Sequence, residues 1–263
     1  MPETLTPEQL DAFDRTGVLR LPDFYPRADI DLMADRLWAD VELRFGMVRD
    51  RPETWTVAYP AHFNALKRTG AFDGLGSARL SGLADILLGA GGWEKPALWG
   101  GPLVTFPSRA PGLRRPPWHL DIGGVQALSP LPILRTFTFL APLLPGGGGT
   151  LYVAGSHRFA LDFERERHGP VRSADVRERL RREHPWFGHL LAADSIQVRG
   201  LVNTQARVGE HAVRLEEMIG DPGDLIVMHP ATLHATAHNG LDQPRLMLTT
   251  WVSRRGVMAG DPG

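Results

Sequence analysis

The sequence predicts a mainly β protein with helical decoration, and three observations carry the prediction. From about residue 96 onward, short apolar or alternating runs succeed one another between glycines and prolines: Ala97 to Phe106, Arg135 to Leu140, Thr150 to Val153, Asp224 to Met228 and Arg245 to Val252. Runs of this length and punctuation suit the antiparallel strands of a sandwich or barrel. Before residue 96 the apolar spacing is helical instead. No linker, repeat or low-complexity tract divides the chain, so one domain over residues 1–263 is expected, helical over about 1–95 and a barrel over about 96–255.

The helical part starts at Thr6-Pro7-Glu8-Gln9, where Thr6 can cap, Pro7 fits the first helical position and Gln9 completes a capping box. Gly17 should stop that helix, and Val18 to Leu21 reads as a short strand. Ile30, Met33, Leu37, Val41 and Phe45 recur at helical spacing from about Ala28 to Phe45. Ser77 is expected to cap a helix through Leu88, ended by Gly89 and the Gly91-Gly92 pair. Within the barrel, residues 159–217 are charged and partly helical, with Ala174 to Glu183 capped by Ser173. An insertion of that length between strands is expected to act as a lid or wall over a site.

Composition removes several classes of function. The chain has no cysteine, which excludes disulfides, thiolate zinc sites, iron–sulfur clusters and cysteine nucleophiles. Any metal must therefore sit on imidazole and carboxylate. With 29 basic and 30 acidic side chains, nothing points to nucleic acid or an anionic membrane as a partner. No apolar run approaches the roughly 20 residues needed to cross a bilayer, and no secretory signal is visible, so a cytoplasmic location is expected.

Three elements carry chemistry. In Trp118-His119-Leu120-Asp121, residues two apart on a strand share a face, so His119 and Asp121 can converge on one ion. Alone, this triplet is a weak signal. The second is HPATLHATAHN, residues 229–239, after the turn and apolar strand of GDLIVM; His229, His234 and His238 all compete to be a distal ligand. Two histidines and one carboxylate on one side of a metal leave positions open, as iron(II) oxygenases require, although zinc accepts the same donors. The third is Arg245, in the apolar run RLMLTTWV. It shares a strand face with Met247 and Thr249, and burying it is costly unless an anion pairs with it. Its planar fork suits a carboxylate.

Taken in order, FDRTGVLRLPDFY, WHLD, GGGTLYVAGSH, GDLIVMHPATLHATAHN and the downstream Arg245 resemble the phytanoyl-CoA dioxygenase family of Fe(II)/2-oxoglutarate oxygenases. The resemblance runs from about Leu10 to Val252 and covers 157–217 only loosely. It implies a double-stranded β-helix, a jelly-roll or cupin-like barrel with N-terminal helices packed on one sheet. It also implies iron held by His119, Asp121 and His234, with His229 ending the preceding strand and His238 in a turn. Arg245 then matches the arginine that grips the far carboxylate of 2-oxoglutarate, Thr236 a position supplying it a hydroxyl, and Phe137 an aromatic beside it. The family's further basic or amide contributor from the N-terminal half has no identified equivalent here. His157, in the shared AGSH segment, is read as a turn residue; His62, His168, His184, His189 and His211 are read as surface or insertion residues.

The implied reaction is hydroxylation, or another oxidation, of an unactivated C–H bond in a small molecule. 2-Oxoglutarate and dioxygen are consumed, and succinate and carbon dioxide form. The presence of Asp121 argues against halogenation, because related halogenases lack that carboxylate. Trp99, Phe106, Trp118 and Trp251 are candidates to line an apolar pocket or simply to fill the core. Arg109, Arg114 and Arg115 can hold a substrate anion or be solvated. Two rivals stay open: a hydrolase or isomerase using another divalent metal on the same ligands, and a non-enzymatic barrel that binds metal or a small acid. Monomer and homodimer are equally compatible with the sequence.

Overall fold

A computed structural model describes residues 4–107 and 115–257. The chain opens with helix α1 (Pro7–Thr16), whose capping box forms as expected: the Thr6 hydroxyl accepts from the Gln9 N–H, and Gln9 returns an acceptor to Thr6. Gly17 ends it in the left-handed region, at φ 74°. A Cβ there would lie 2.5 Å from Nδ1 of His157, so both the backbone angle and the space demand glycine. Strand β1 (Val18–Leu21) follows directly. Helix α2 (Arg27–Phe45) buries Ile30, Met33, Leu37 and Val41 as its spacing predicts, while Phe45 at its end is only partly covered. Helix α3 (Asn64–Arg68) is a short connector, and α4 (Ala78–Leu88) begins at Ser77, whose hydroxyl accepts from the Leu80 N–H.

The β part comprises β2 (Trp93–Glu94), β3 (Gly101–Thr105), β4 (Ile133–Phe139) and β5 (Thr150–Ala154). Four helices then intervene: α5 (His157–Arg167), α6 (Ser173–Glu183), α7 (Pro185–Ala192) and α8 (Ser195–Leu201). The chain closes with β6 (Gln205–Val208), β7 (His211–Glu217), β8 (Leu225–Met228), β9 (His234–Thr236) and β10 (Arg245–Arg254). Two antiparallel sheets result. The major one runs β1-β8-β4-β10-β2 with β3 also on β10, and the minor one runs β6-β7-β5-β9.

Strand alternation divides the interior into layers. On the major sheet Leu134, Leu225, Val227, Leu246, Leu248 and Val252 face α2 and α4, and this is the largest apolar cluster. The opposite faces of the same strands present Phe137, Phe139, Ile226, Met228 and Met247, which meet Tyr152 and Ala154 of the minor sheet. A third cluster joins Leu151, Val153, Val213, Leu215 and Ala235, on the outer face of the minor sheet, to Ala160, Val176, Leu180, Phe187 and Val198 of α5–α8.

That third cluster changes the reading of residues 159–217 in two ways. Residues 205–217 are not helical insertion; they are β6 and β7, and β7 pairs with β5 in the middle of the minor sheet. Their charged alternation, QARV and HAVRLEE, hid them. Helices α5–α8 do not stand over the space between the sheets; they pack on the outer face of the minor sheet, from behind. Ser173 does not cap α6 either. It is the first helical residue, and its hydroxyl accepts from the Leu120 N–H at 2.9 Å, tying the helix to the WHLD segment. No helix among the described residues is long and apolar enough to cross a membrane.

Candidate metal centre

The WHLD segment runs extended beside β9. His119 and His234 exchange both backbone hydrogen bonds, at 2.9 and 3.0 Å, and the Asp121 N–H donates to the Pro230 carbonyl at 2.8 Å. Alternation sends Trp118 and Leu120 into the cluster shared with α5–α8. His119 and Asp121 take the other side, where His234 faces them. One ligand atom from each of the three residues lies within 4.8 Å of the others.

Both rings are oriented by the same local device. Nδ1 of His119 is 2.8 Å from the Pro117 carbonyl, and Nδ1 of His234 is 2.9 Å from the Thr232 carbonyl. A carbonyl only accepts, so Nδ1 carries the proton in each ring and Nε2 presents a lone pair. Those Nε2 atoms stand 3.6 and 3.4 Å from the Asp121 carboxylate oxygens. Acceptors that converge with no proton among them describe a cation site, and ordering of the second nitrogen is the usual companion of metal ligation. Burial first, then His234, holds the His119 pKa down, which keeps its lone pair available. Burial pushes Asp121 up, yet His234, Arg135 and His119 outweigh it, so the carboxyl stays ionised below its usual range.

Arg245 opens β10 and is 4 % exposed. It lies on the inter-sheet face with Met247, and its Nη1 donates to the Gly148 carbonyl at 2.7 Å, reaching across to the chain just before β5. Gly148 is four residues before Tyr152, whose register partner is His234, and Thr236 pairs with Thr150 between these levels. Thr236 thus shares a strand face with His234 and is exposed. The Nε of Arg245 and the hydroxyl of Thr105, its register partner on β3, are both buried without a hydrogen-bond partner among the described residues. Burial lowers the arginine pKa to about 10. An unpaired guanidinium edge and an unpaired hydroxyl in one buried place fit a carboxylate. Asn239 fixes the turn that leads to Arg245: its amide donates to the carbonyls of Thr105 and Gln243, and its oxygen accepts from the Leu241 N–H.

Phe137 is buried on the same face of β4. Two residues before it stands Arg135, a neighbour that the motifs did not flag. Its Nε is 2.9 Å from Oδ2 of Asp121, and its side chain is 14 % exposed. The signal was present, since an arginine in the apolar strand ILRTFTF raises the same question as Arg245, but its partner is set by distant register.

The competing histidines are accounted for. His229 is buried beside His157, ring centroids 5.0 Å apart, and neither belongs to the metal-type cluster. His238 is partly buried after β9. His211 pairs with Asp162 at 2.7 Å, while His62, His168 and His189 are exposed and His184 stacks near Phe159. Trp99 and Phe106 fill the helix-side cluster and Trp118 the one beside α5–α8, whereas Trp251 stacks on Arg135. Arg115 is exposed; Arg109 and Arg114 lie outside the described residues.

No family model matches the sequence, and no curated protein matches it. Solved structures do. SnoK, a non-haem α-ketoglutarate-dependent carbocyclase from nogalamycin biosynthesis, superposes with a TM-score of 0.56 at 17% identity over 97% of this chain and 87% of its own. HygX from Streptomyces hygroscopicus, with nickel and 2-oxoglutarate bound, gives 0.54 at 18% identity over 96% and 88%. EctD from S. alaskensis, with bound iron, gives 0.58 at 19% identity over 98% and 80%. The fold is a double-stranded β-helix. In it the two sheets face each other across the Phe137–Met247–Tyr152 layer, and the candidate metal centre lies where the WHLD segment joins the minor sheet.

Proposed function

We propose that this chain is an Fe(II)/2-oxoglutarate-dependent oxygenase that hydroxylates, or otherwise oxidises, an unactivated C–H bond of a small molecule. His119, Asp121 and His234 would hold the iron through two imidazole Nε2 atoms and one carboxylate. Arg245 would take the far carboxylate of 2-oxoglutarate, with Thr236 offering a hydroxyl on the His234 face and Phe137 an apolar wall. When bound, iron and 2-oxoglutarate supply the oxidising power from dioxygen and leave succinate and carbon dioxide. The protein's own share is to fix the three donors, to aim both imidazoles by the Pro117 and Thr232 carbonyls, and to surround the site with apolar side chains. Asp121 would supply the carboxylate that related halogenases lack, which argues for oxygenation or its desaturating and ring-closing variants and against halogenation.

The observation that carries this reading is the pairing of a three-donor cation site with a second, buried cationic cradle on one face of the inter-sheet layer. A metal-dependent hydrolase or a simple metal-binding barrel has no use for the second. What SnoK, HygX and EctD are described as using or binding supports the same chemistry here. We further place the protein in the cytoplasm, as a monomer or homodimer without nucleic-acid or membrane partners.

Anaerobic addition of Fe(II) and 2-oxoglutarate should produce a weak visible metal-to-ligand absorption, and air should then release succinate. Arg245→Ala should weaken 2-oxoglutarate binding by about 3–5 kcal/mol while leaving Fe(II) binding intact. Succinate-free turnover of a substrate with zinc, and no visible band with iron, would overturn the assignment.

A further inference from the structure

Arg135 helps to keep Asp121 ionised, but that single contact does not satisfy its guanidinium. Its register partners are Trp251 on β10 and Met228 on β8, so it faces the inter-sheet layer beside the metal donors. The guanidinium lies 4.7 Å from the Trp251 ring centroid and 5.3 Å from that of Phe137. Its one ionic contact, Nε to Oδ2 of Asp121 at 2.9 Å, is out of line for a hydrogen bond, so Nε is buried unsatisfied. No other hydrogen bond from this guanidinium to a described residue is made. A side chain this covered, with five N–H groups, is costly to keep unless an anion completes it.

Asp121 is an imperfect partner, because its Oδ2 lies out of line with Nε and a carboxylate shared with a metal has less charge to offer a guanidinium. Charge makes the same point. Around the metal, a dication and Arg135 bring three positive charges, while Asp121 and one carboxylate of 2-oxoglutarate bring two negative ones. One positive charge is left over among the apolar neighbours Phe137, Met228 and Met247. A planar fork flanked by an aromatic ring matches a carboxylate on an apolar body, held by two parallel N–H bonds.

We propose that Arg135 is the substrate anchor, and that the protein takes a small monocarboxylic acid whose carboxylate pairs with the guanidinium while its apolar body lies along Trp251 and Phe137. This rests on the oxygenase reading for the charge count, and on the Arg135 geometry for the anchor itself.

The test uses the full chain, loaded anaerobically with Fe(II) and 2-oxoglutarate. Benzoate, phenylacetate and octanoate are titrated, each beside its primary amide, and both the visible band and the melting temperature are followed. At least one acid should bind about tenfold or more tightly than its amide. Arg135→Met should erase that preference and keep 2-oxoglutarate affinity within a factor of about three. Arg135→Lys, which keeps charge but loses the fork, should retain a reduced preference, and it carries the test if Arg135→Met does not fold. Equal binding of acids and amides by the unaltered protein overturns the proposal. So does a preference that survives in Arg135→Met. A collapse of 2-oxoglutarate affinity in that variant would put Arg135 in the co-substrate grip, and a collapse of Fe(II) affinity would make it a positioning residue for Asp121; either also overturns it. If the unaltered protein gives no visible band, the oxygenase reading fails separately, and acid-specific stabilisation of the metal-free protein, lost in Arg135→Met, still reads the anchor.

Discussion

His119 and His234 hold their rings 4.1 Å apart, and a second pair, His157 and His229, stands 5.0 Å apart. The pairs differ in which nitrogen the backbone claims. In the first, each Nδ1 is tied to the carbonyl two residues earlier, so both Nε2 lone pairs point outward at a carboxylate. In the second, Nδ1 of His229 accepts from the Ala231 N–H, and Nε2 of His157 donates to the Asp14 carbonyl. Among the described residues, no carboxylate approaches that pair closely enough to form a candidate metal cluster. A histidine becomes a ligand or a packing residue according to which of its nitrogens a neighbouring peptide takes, and sequence spacing alone does not say which.

Substitution separates the two histidine pairs most visibly. His119→Ala or His234→Ala should abolish Fe(II) binding and the visible band, whereas His229→Ala should keep the band in whatever fraction folds. A band that vanishes in His229→Ala but persists in His234→Ala would exchange the roles of the two pairs. Acid should expose the packing pair next. Burial first holds His157 at about 4, with the Asp14 carbonyl pulling it back up and Arg158 and His211 pushing it down. Burial and then His157 hold His229 at about 3. In the unfolded chain both protonate as pH falls through about 6.5, while the folded protein keeps them neutral, so their stabilisation is present above that pH and is lost on the way down to about 4 for His157 and about 3 for His229. For His157 alone the loss at pH 4 is about 3 kcal/mol. Denaturant melts across this range should show the slope, and His157→Gln should flatten it. The smallest effect probes the link between the pairs. The Ser156 hydroxyl, next to His157, accepts from the N–H of Leu233, next to His234, at 2.8 Å. Ser156→Ala should cost about 1–3 kcal/mol of stability and weaken Fe(II) binding only severalfold.

Much of this was legible in the chain because it is local. The capping box at Thr6, the stop at Gly17, the period-two placement of His119 with Asp121 and the charge of Arg245 in an apolar strand all depend on neighbours within a few residues. The double-stranded β-helix followed from ordered motifs, and the structure bears it out. What escaped depends on register between distant segments. Arg135 meets Asp121 only because β4 lies between β8 and β10, and no feature of ILRTFTF announces that. Strands β6 and β7 escaped because charges on their exposed positions mask the alternation, and Ser173 because a hydroxyl at a helix start has uses besides capping.

Residues 237–244 form the turn between β9 and β10. Asn239 locks it internally, and Gly148, at φ 83°, packs so closely on Asn239 that a Cβ would come within 2.9 Å of it. One extra residue spliced in here would have to be taken up inside the turn, because a one-residue slip of β10 would drive Met247 and Trp251 toward the helices and Leu246 and Leu248 into the inter-sheet layer. Arg245 would swing away from its cradle with them. The number of residues in a partly exposed polar turn is therefore a functional parameter in its own right, and anyone shortening, lengthening or grafting loops on this scaffold should leave that number alone.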